Sequence, residues 1–372
     1  MANEKKLKPA FNIGPGYTIK KYLDDRGWSQ EDLSELMDIS AKQLSQIINN
    51  KVRITIDTAV LLGKVFETSA ESWINKDTEY RLNLKEDSSM ESETQIKAQI
   101  RKFMPVSEIL KKGWYNFDNS VKGYESLYEA IWGKEYTDDS MYKELNRKFC
   151  ARQKKDNEKF THDYSLTWQQ VARLKAKEIA VPSYNEKKLQ DIIHSYTTYT
   201  YLNNGISKIV KDLNNAGIKF FILSHLSKTY LDGACFYDKN NPVVVYTARY
   251  DRVDNFWFTL AHELAHVIMH LPKLKDQIFL DDLKDGEIIN EQERDADKKA
   301  EEILRTDEIL QEANPYLKYF SEEKLDLIAK KLKIEHSVIV GVLQHKKLVD
   351  YRKLNKYKKK VLEQFPQNII LG

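Results

Sequence analysis

Residues 250–270, YDRVDNFWFTLAHELAHVIMH, contain His262-Glu263-Leu264-Ala265-His266, two imidazoles four positions apart with a carboxylate directly after the first. Side chains four apart share one face of an α-helix, so both imidazoles can reach a single tetrahedral cation of the zinc type. The flanks support the helix. Asp254 is placed to cap its start, and Phe256, Trp257, Phe258, Leu260, Ala261, Leu264, Ala265, Val267, Ile268 and Met269 make it apolar nearly all round. A helix of that kind is buried, and buried imidazoles and carboxylates need partners, which one metal ion supplies together. With 8 His in 372 residues, chance yields ~0.01 such patterns per chain. The competing reading is a pair of core histidines satisfied by hydrogen bonds.

A catalytic zinc takes a third protein ligand and leaves its fourth position to water. His270 continues the spacing, but it lies two turns beyond His262, about 12 Å of rise, too far for three imidazoles to meet at one ion. There it is expected to face the last carbonyls of the helix. Glu293 is the better candidate. Residues 290–304, NEQERDADKKAEEIL, read as a second helix with Ala296, Ala300, Ile303 and Leu304 on its apolar side, and Glu293 falls on that stripe. An inward-facing carboxylate needs a cation.

These residues resemble the ImmA/IrrE metallopeptidases of bacteria, phages and mobile elements. The shared pattern is a DNFWFT-type lead-in, the HExxH core and a helix of the form E-x-x-A-(N or D)-x-x-A-x-x-(I or L)-L, matched by Glu293, Ala296, Asp297, Ala300, Ile303 and Leu304. The resemblance implies a zincin-like domain in which His262, His266 and Glu293 hold Zn2+ and Glu263 is the general base. Arg305-Thr306 stands where many members continue with Met-Pro, a departure at the helix end and not at the ligands.

Length allows two or three domains. A hydrophobic fraction of 41% with 31% charged residues describes a soluble globular protein. No run of 18 apolar residues and no charged-then-apolar leader occurs, so a cytoplasmic location without a membrane partner is expected. Cys150 and Cys235 are far apart and form no CxxC, which excludes a disulfide framework and places Cys235 in an apolar strand. Net charge is only +3, from 59 basic and 56 acidic residues, so no global field advertises a polyanion. The most one-sided stretch is 346–360, with eight Lys or Arg against Asp350. It reads as a solvated helix face or, more sharply, as a contact for a nucleic-acid backbone.

Residues 1–16 form a polar, Pro/Gly-marked arm. Beyond it the pattern turns helical. Ile19, Tyr22 and Leu23 make one stripe, ended at Gly27, and Ser29 caps a second helix carrying Leu33, Leu36 and Met37 inward. Ser40 caps a third, with Gln43 at the capping-box position and Leu44, Ile47 and Ile48 buried. Thr55 caps a fourth with Ala59, Leu62 and Val65, and Ser69 a fifth with Trp73 and Ile74. Two short helices joined by a tight turn make a helix-turn-helix, whose third helix would enter the major groove. Ser40, Lys42, Gln43, Ser45 and Gln46 then face the DNA, Gln reading adenine, while Lys51 and Arg53 reach phosphates. WSQEDLSELMDISAKQLSQIINNK resembles the lambda-repressor type of DNA-binding domain, and TAVLLGKVFETSAESWINKDTEYRLNL resembles the branch of HigA-type antitoxins.

Residues 85–95, KEDSSMESETQ, read as a linker or an exposed helix start. From there to Trp168 an amphipathic, aromatic stretch punctuated by Trp114, Leu127, Ile131, Trp132 and Phe149 reads as a helical spacer and dimerisation region. Helical period returns over 189–213. Strands follow at 218–223, 233–237 and 243–246, with a turn at 238–242. Two helices, 322–332 and 337–345, either complete the peptidase domain or form a second helix-turn-helix, the former being the better reading.

The expected architecture is therefore mostly α with a small β-sheet (α+β). Residues 1–85 form a five-helix DNA-binding domain, 86–188 a helical middle region, and 189–372 a metallopeptidase domain. The expected function is a transcriptional regulator cleaving a repressor or partner protein, with operator DNA, that protein substrate and a second copy of the chain as partners. The alternative is a HigA-like antitoxin or autorepressor whose zinc fold is a sensor.

Overall fold

The computed structural model describes residues 12–85, 89–133, 159–227, 229–273, 278–282 and 291–372. Most of the expected arm, part of the linker, Phe149 and Cys150 lie outside the described residues. The chain divides into two compact units, Met1–Ala98 and Gln99–Gly372.

In the first unit, α1 (Pro15–Arg26), α2 (Gln30–Leu36), α3 (Ala41–Ile48), α4 (Ile56–Phe66) and α5 (Ala70–Lys85) follow the expected order. Their ends are set by local chemistry. Gly27 takes the left-handed conformation at φ 66°, and Ser29 and Asp32 form a reciprocal capping box. The hydroxyls of Ser40 and Thr55 accept from the amides of Gln43 and Thr58. Ile19, Leu23, Leu33, Met37, Leu44, Ile47, Ile48, Leu62, Phe66 and Trp73 make the core. Leu36 was expected inward but is 56% exposed. In a helix this short only the i, i+4 pair Leu33 and Met37 faces the core, so Leu36 is rotated out. Phe66 takes a place the pattern had not assigned, its ring stacked 4.9 Å from Tyr22. The buried Asp77 accepts from the Ile54 amide (3.3 Å) and from Arg81 Nε (3.0 Å), and Arg81 also donates to the Val52 carbonyl. This clamp fixes the loop that follows α3.

A helix over Ser89–Phe103 (α6) occupies the acidic, Ser-rich stretch. The second unit continues with α7 (Val106–Lys111), α8 (Val121–Trp132), α9 (Lys159–Glu178), α10 (Glu186–His194), α11 (Tyr196–Tyr201) and α12 (Gly205–Asn215). Strands β1 (Lys219–Ile222), β2 (Leu231–Asp238), β3 (Asn241–Tyr246) and β4 (Ile278–Asp282) make one sheet in the order β1-β3-β2-β4. The β1–β3 pair is parallel and the others antiparallel. Trp114, Trp132 and Trp168 are buried in this unit. α9 is tied to the sheet region by Trp168 Nε1 donating to the Ser224 carbonyl (3.1 Å) and by Lys219 Nζ donating to the Ala176 carbonyl (2.7 Å).

Helix α13 (Val253–Met269) lies between the sheet and the helices α14 (Glu291–Ile303), α15 (Thr306–Ala313), α16 (Glu322–Leu332) and α17 (His336–His345). Leu325, Ile328, Ala329, Leu332, Val338, Ile339, Val342 and Leu343 share one core with Phe256, Trp257, Leu260 and Leu264, so α16 and α17 complete this unit. Phe365 joins the same core, 5.0 Å from Phe256 between ring centres. The basic stretch 346–360 is built of turns and a short 3₁₀ segment, Asn355–Tyr357, not a helix face. Its charges are partly engaged. Lys346 pairs with Glu301 at 2.6 Å, Arg352 with Asp350 at 3.1 Å, and Lys356 with Glu322.

Candidate metal centre

α13 begins two residues earlier than a cap at Asp254 requires. Arg252 occupies the N-cap without a side-chain capping bond, and the buried Asp254 sits in the first turn. Its carboxylate is drawn to the Arg252 guanidinium, Nε to Oδ1 at 2.9 Å, and not to backbone amides. Along the helix Glu263 is 1% and His266 1% exposed, and His262 is 7% exposed. The metal-type residues are thus sunk in the unit.

The inner atoms of three side chains converge. His262 Nε2 and His266 Nε2 are 3.0 Å apart, and Glu293 Oε2 is 3.3 Å from each. Four ligands at ~2.0–2.1 Å around a tetrahedral zinc stand about 3.3–3.4 Å from one another. The three atoms therefore have the spacing of three corners of that tetrahedron, and the donor set of two imidazoles and a carboxylate suits the same ion. The outer nitrogens are also engaged. His262 Nδ1 lies 2.9 Å from Asp297 Oδ1 and His266 Nδ1 lies 2.9 Å from His270 Nδ1. His270 consequently does not turn to the last carbonyls of the helix. The His266 carbonyl already accepts the amides of His270 and Leu271, each at 3.0 Å, and the i, i+4 spacing brings the two rings together.

Electrostatics favour the ligand forms. Burial, ahead of the opposing pull of Glu293, holds His266 below the ordinary imidazole value. Desolvation pushes the Glu293 carboxyl up, but hydrogen bonds from His262 and His266 and their charge outweigh it and bring it down to about 2. Metal binding needs a neutral imidazole and an ionised carboxylate, the forms that these shifts favour at neutral pH.

The Glu263 carboxylate lies against β2. A Cβ at Gly233 would lie 2.5 Å from Glu263 Oε1 and 2.8 Å from Thr259 Cγ2, so the missing side chain is what lets strand and helix close. Cys235, two residues on, is fully buried, and burial first and the Glu263 carboxylate second push its thiol well up. Phe279 of β4 stacks on His266 at 4.6 Å between ring centres.

In the first unit, Ser40 caps α3, its Oγ accepting from the Gln43 amide at 3.2 Å. The reverse half of a capping box is not seen there. Lys42 and Gln43 are exposed on the first turn of α3, Ser45 and Gln46 are half-buried one turn later, and Lys51 and Arg53 are exposed on the loop beyond. The arrangement is a helix-turn-helix with a polar face along α3.

Comparison with known proteins agrees with both units. Residues 19–73 match the helix-turn-helix family, and residues 213–346 match the IrrE N-terminal-like domain, a family of metallopeptidase type. The chain belongs to the helix-turn-helix family and carries an IrrE N-terminal-like domain. An uncharacterized HTH-type transcriptional regulator of Haemophilus influenzae is 37% identical over 59 residues, 16% of this chain and 55% of that protein. Virulence-associated protein I of Dichelobacter nodosus is 33% identical over 75 residues, 20% of this chain and 69% of that protein. The uncharacterized HTH-type transcriptional regulator YbaQ of Escherichia coli strain K12 is 33% identical over 57 residues, 15% of this chain and 50% of that protein. The chain thus spans about half the length of the first and third of these relatives.

Among the described residues no helix is long and apolar enough to cross a membrane. Within the IrrE-like domain, the sequence reading gives Asp297 only as a position of the family pattern, gives His270 another role and does not single out Gly233. Asp297 was legible, four positions after Glu293 and hence on its face. The contacts of Gly233 and His270 depend on which elements pack, and spacing alone does not show that.

Proposed function

We propose that the protein is a DNA-binding transcriptional regulator whose IrrE-like domain is a zinc-dependent endopeptidase. Its target would be a repressor or partner protein of a mobile-element, stress, defence or toxin-antitoxin operon. The observation that carries this is the convergence of His262, His266 and Glu293 within 3.3 Å of one another, with Glu263 on the same helix. His262, His266 and Glu293 would hold Zn2+, which when bound supplies Lewis acidity toward a peptide carbonyl and toward water. Glu263 takes the proton of the attacking water and passes it to the leaving amine. Asp297 holds the His262 ring in its liganding orientation. β4 is an outer strand of the sheet, and an extended substrate pairing beside it would be recognised through its backbone.

For DNA, Lys42, Gln43, Ser45 and Gln46 beyond the Ser40 cap would face base edges, the glutamines reading adenine, while Lys51 and Arg53 reach phosphates. The relatives' names as transcriptional regulators support this half. The near-complete burial of Glu263 favours a second reading, a non-proteolytic HigA-like autorepressor whose zinc fold senses a partner.

Glu263→Gln decides between the two. The variant is co-expressed with the proteins of neighbouring genes. It should keep its zinc and its fold while cleavage of a target falls by ~10²–10⁴-fold. Wild-type control of the operon and of any target by the variant would leave the sensor reading.

A further inference from the structure

We infer that His270 is a positioning residue for the metal centre, acting as the hydrogen-bond acceptor that holds the His266 ring with its Nε2 toward His262 and Glu293. The inference rests on the zinc reading above. An imidazole that gives the Nε2 lone pair to a metal carries its proton on Nδ1, and that N–H needs an acceptor when buried. His266 is 1% exposed, and its Nδ1 faces His270 Nδ1 at 2.9 Å. Two facing ring nitrogens make one hydrogen bond only if one donates and the other accepts, so His270 meets His266 with the Nδ1 lone pair. The carbonyl one turn before His270, that of His266, is taken by the amides of His270 and Leu271, so the His270 ring is free to meet the His266 ring instead.

The first ligand is handled differently. His262 Nδ1 is met by a carboxylate, Asp297 Oδ1, at 2.9 Å. His266 is thus oriented from its own helix and His262 from its neighbour α14. The Phe279 ring covers both partners of the histidine pair, 4.6 Å from His266 and 5.6 Å from His270 between centres. It leaves the His266 ring little freedom to rotate about its Cβ–Cγ bond. Ring packing and hydrogen bonding therefore coincide at His270, and two substitutions separate them.

In His270→Asn the side-chain oxygen falls where Nδ1 was, so the acceptor stays and the ring goes. In His270→Phe the ring stays and the acceptor goes. The probe is Zn2+ itself, titrated into the full metal-free chain against a chelator of known affinity, with thermal unfolding of the metal-free proteins measured in parallel. Loss of a partner of a metal-binding His lowers metal affinity by about 10–100-fold, and His270→Phe should show that loss. His270→Asn should stay within about threefold of wild type. Should His270→Phe fail to fold, His270→Leu takes its place. A Phe or Leu variant that binds zinc as tightly as wild type overturns the inference, as does an Asn variant as weak as the Phe variant. Wild-type protein that binds no zinc refutes the zinc reading instead, and the two failures are told apart by that control.

Discussion

Gly233→Ala is the sharpest test of how strand β2 and helix α13 meet. The backbone at Gly233 lies outside the left-handed region, so alanine is sterically legal by itself and only the neighbours object. The added carbon would lie 2.5 Å from Glu263 Oε1, 2.8 Å from Thr259 Cγ2 and 3.0 Å from Glu263 Cγ. Comfortable contacts begin at about 3.5 Å, so two side chains are roughly half to one ångström too close. β2 cannot withdraw, being paired to β3 on one side and β4 on the other. Glu263, 1% exposed, must move within a packed interior. Over-packing of this kind costs about 1–3 kcal/mol, which for a unit of this size lowers the melting temperature by ~2–10 °C. The effect on chemistry should be larger in proportion, because a base displaced by ~1 Å can lose about 10²-fold in rate. Zinc content should stay near wild type, since no ligand is among the atoms that the new carbon would meet. Thermal unfolding, metal analysis and cleavage of a co-expressed target measure the three quantities. A Gly233→Ala protein that melts and cleaves like wild type would refute the packing described here, and one that loses zinc would refute the separation of Glu263 from the ligands.

Glu293→Ala should remove most of the zinc affinity, and undiminished zinc by metal analysis would take Glu293 out of the site. In metal-free protein the Glu293 carboxyl, at about 2, lies below its ordinary 4.5. It therefore contributes stability present above pH 4.5 and lost as the pH falls toward about 2. Acid unfolding of Glu293→Gln should lack that dependence, and a superimposable curve would contradict it. Gln43→Ala and Gln46→Ala should each weaken operator binding by ~1–3 kcal/mol in a gel-shift titration, and a chain lacking residues 1–85 should lose specific binding altogether. Asp77→Ala strands the Ile54 amide and the Arg81 guanidinium, so urea unfolding should register a loss of about 2–4 kcal/mol.

The metal helix was legible because its evidence is local: the i, i+4 imidazoles and the apolar flanks are properties of one helix. Glu293 was legible through the same period, standing on the stripe of Ala296 and Ala300. β4 was not. Ile278-Phe279-Leu280 is too short an apolar run, set among charged residues, to show a period of two. His270 was misread because spacing places it on the face of His266 but does not reveal that the nearby carbonyl is already occupied. Leu36 followed the apolar pattern and still faces outward, since a helix as short as α2 has room for one inward pair. Gly233 carries no local signal at all. Its meaning arises only when a strand well upstream of Glu263 is laid against it.

The place of Phe365 in the aromatic core has a consequence for biosynthesis. Its ring packs with Phe220, Tyr246 and Phe256, so the second unit lacks part of its interior until the chain has been translated almost to that point. The helices of the first unit close around a core drawn from residues 19–74. At ~5–20 residues per second a nascent chain spends some tens of seconds with its helix-turn-helix complete and the core around Phe365 unfinished. Over that interval the ribosome displays a folded helix-turn-helix whose IrrE-like companion domain is still incomplete.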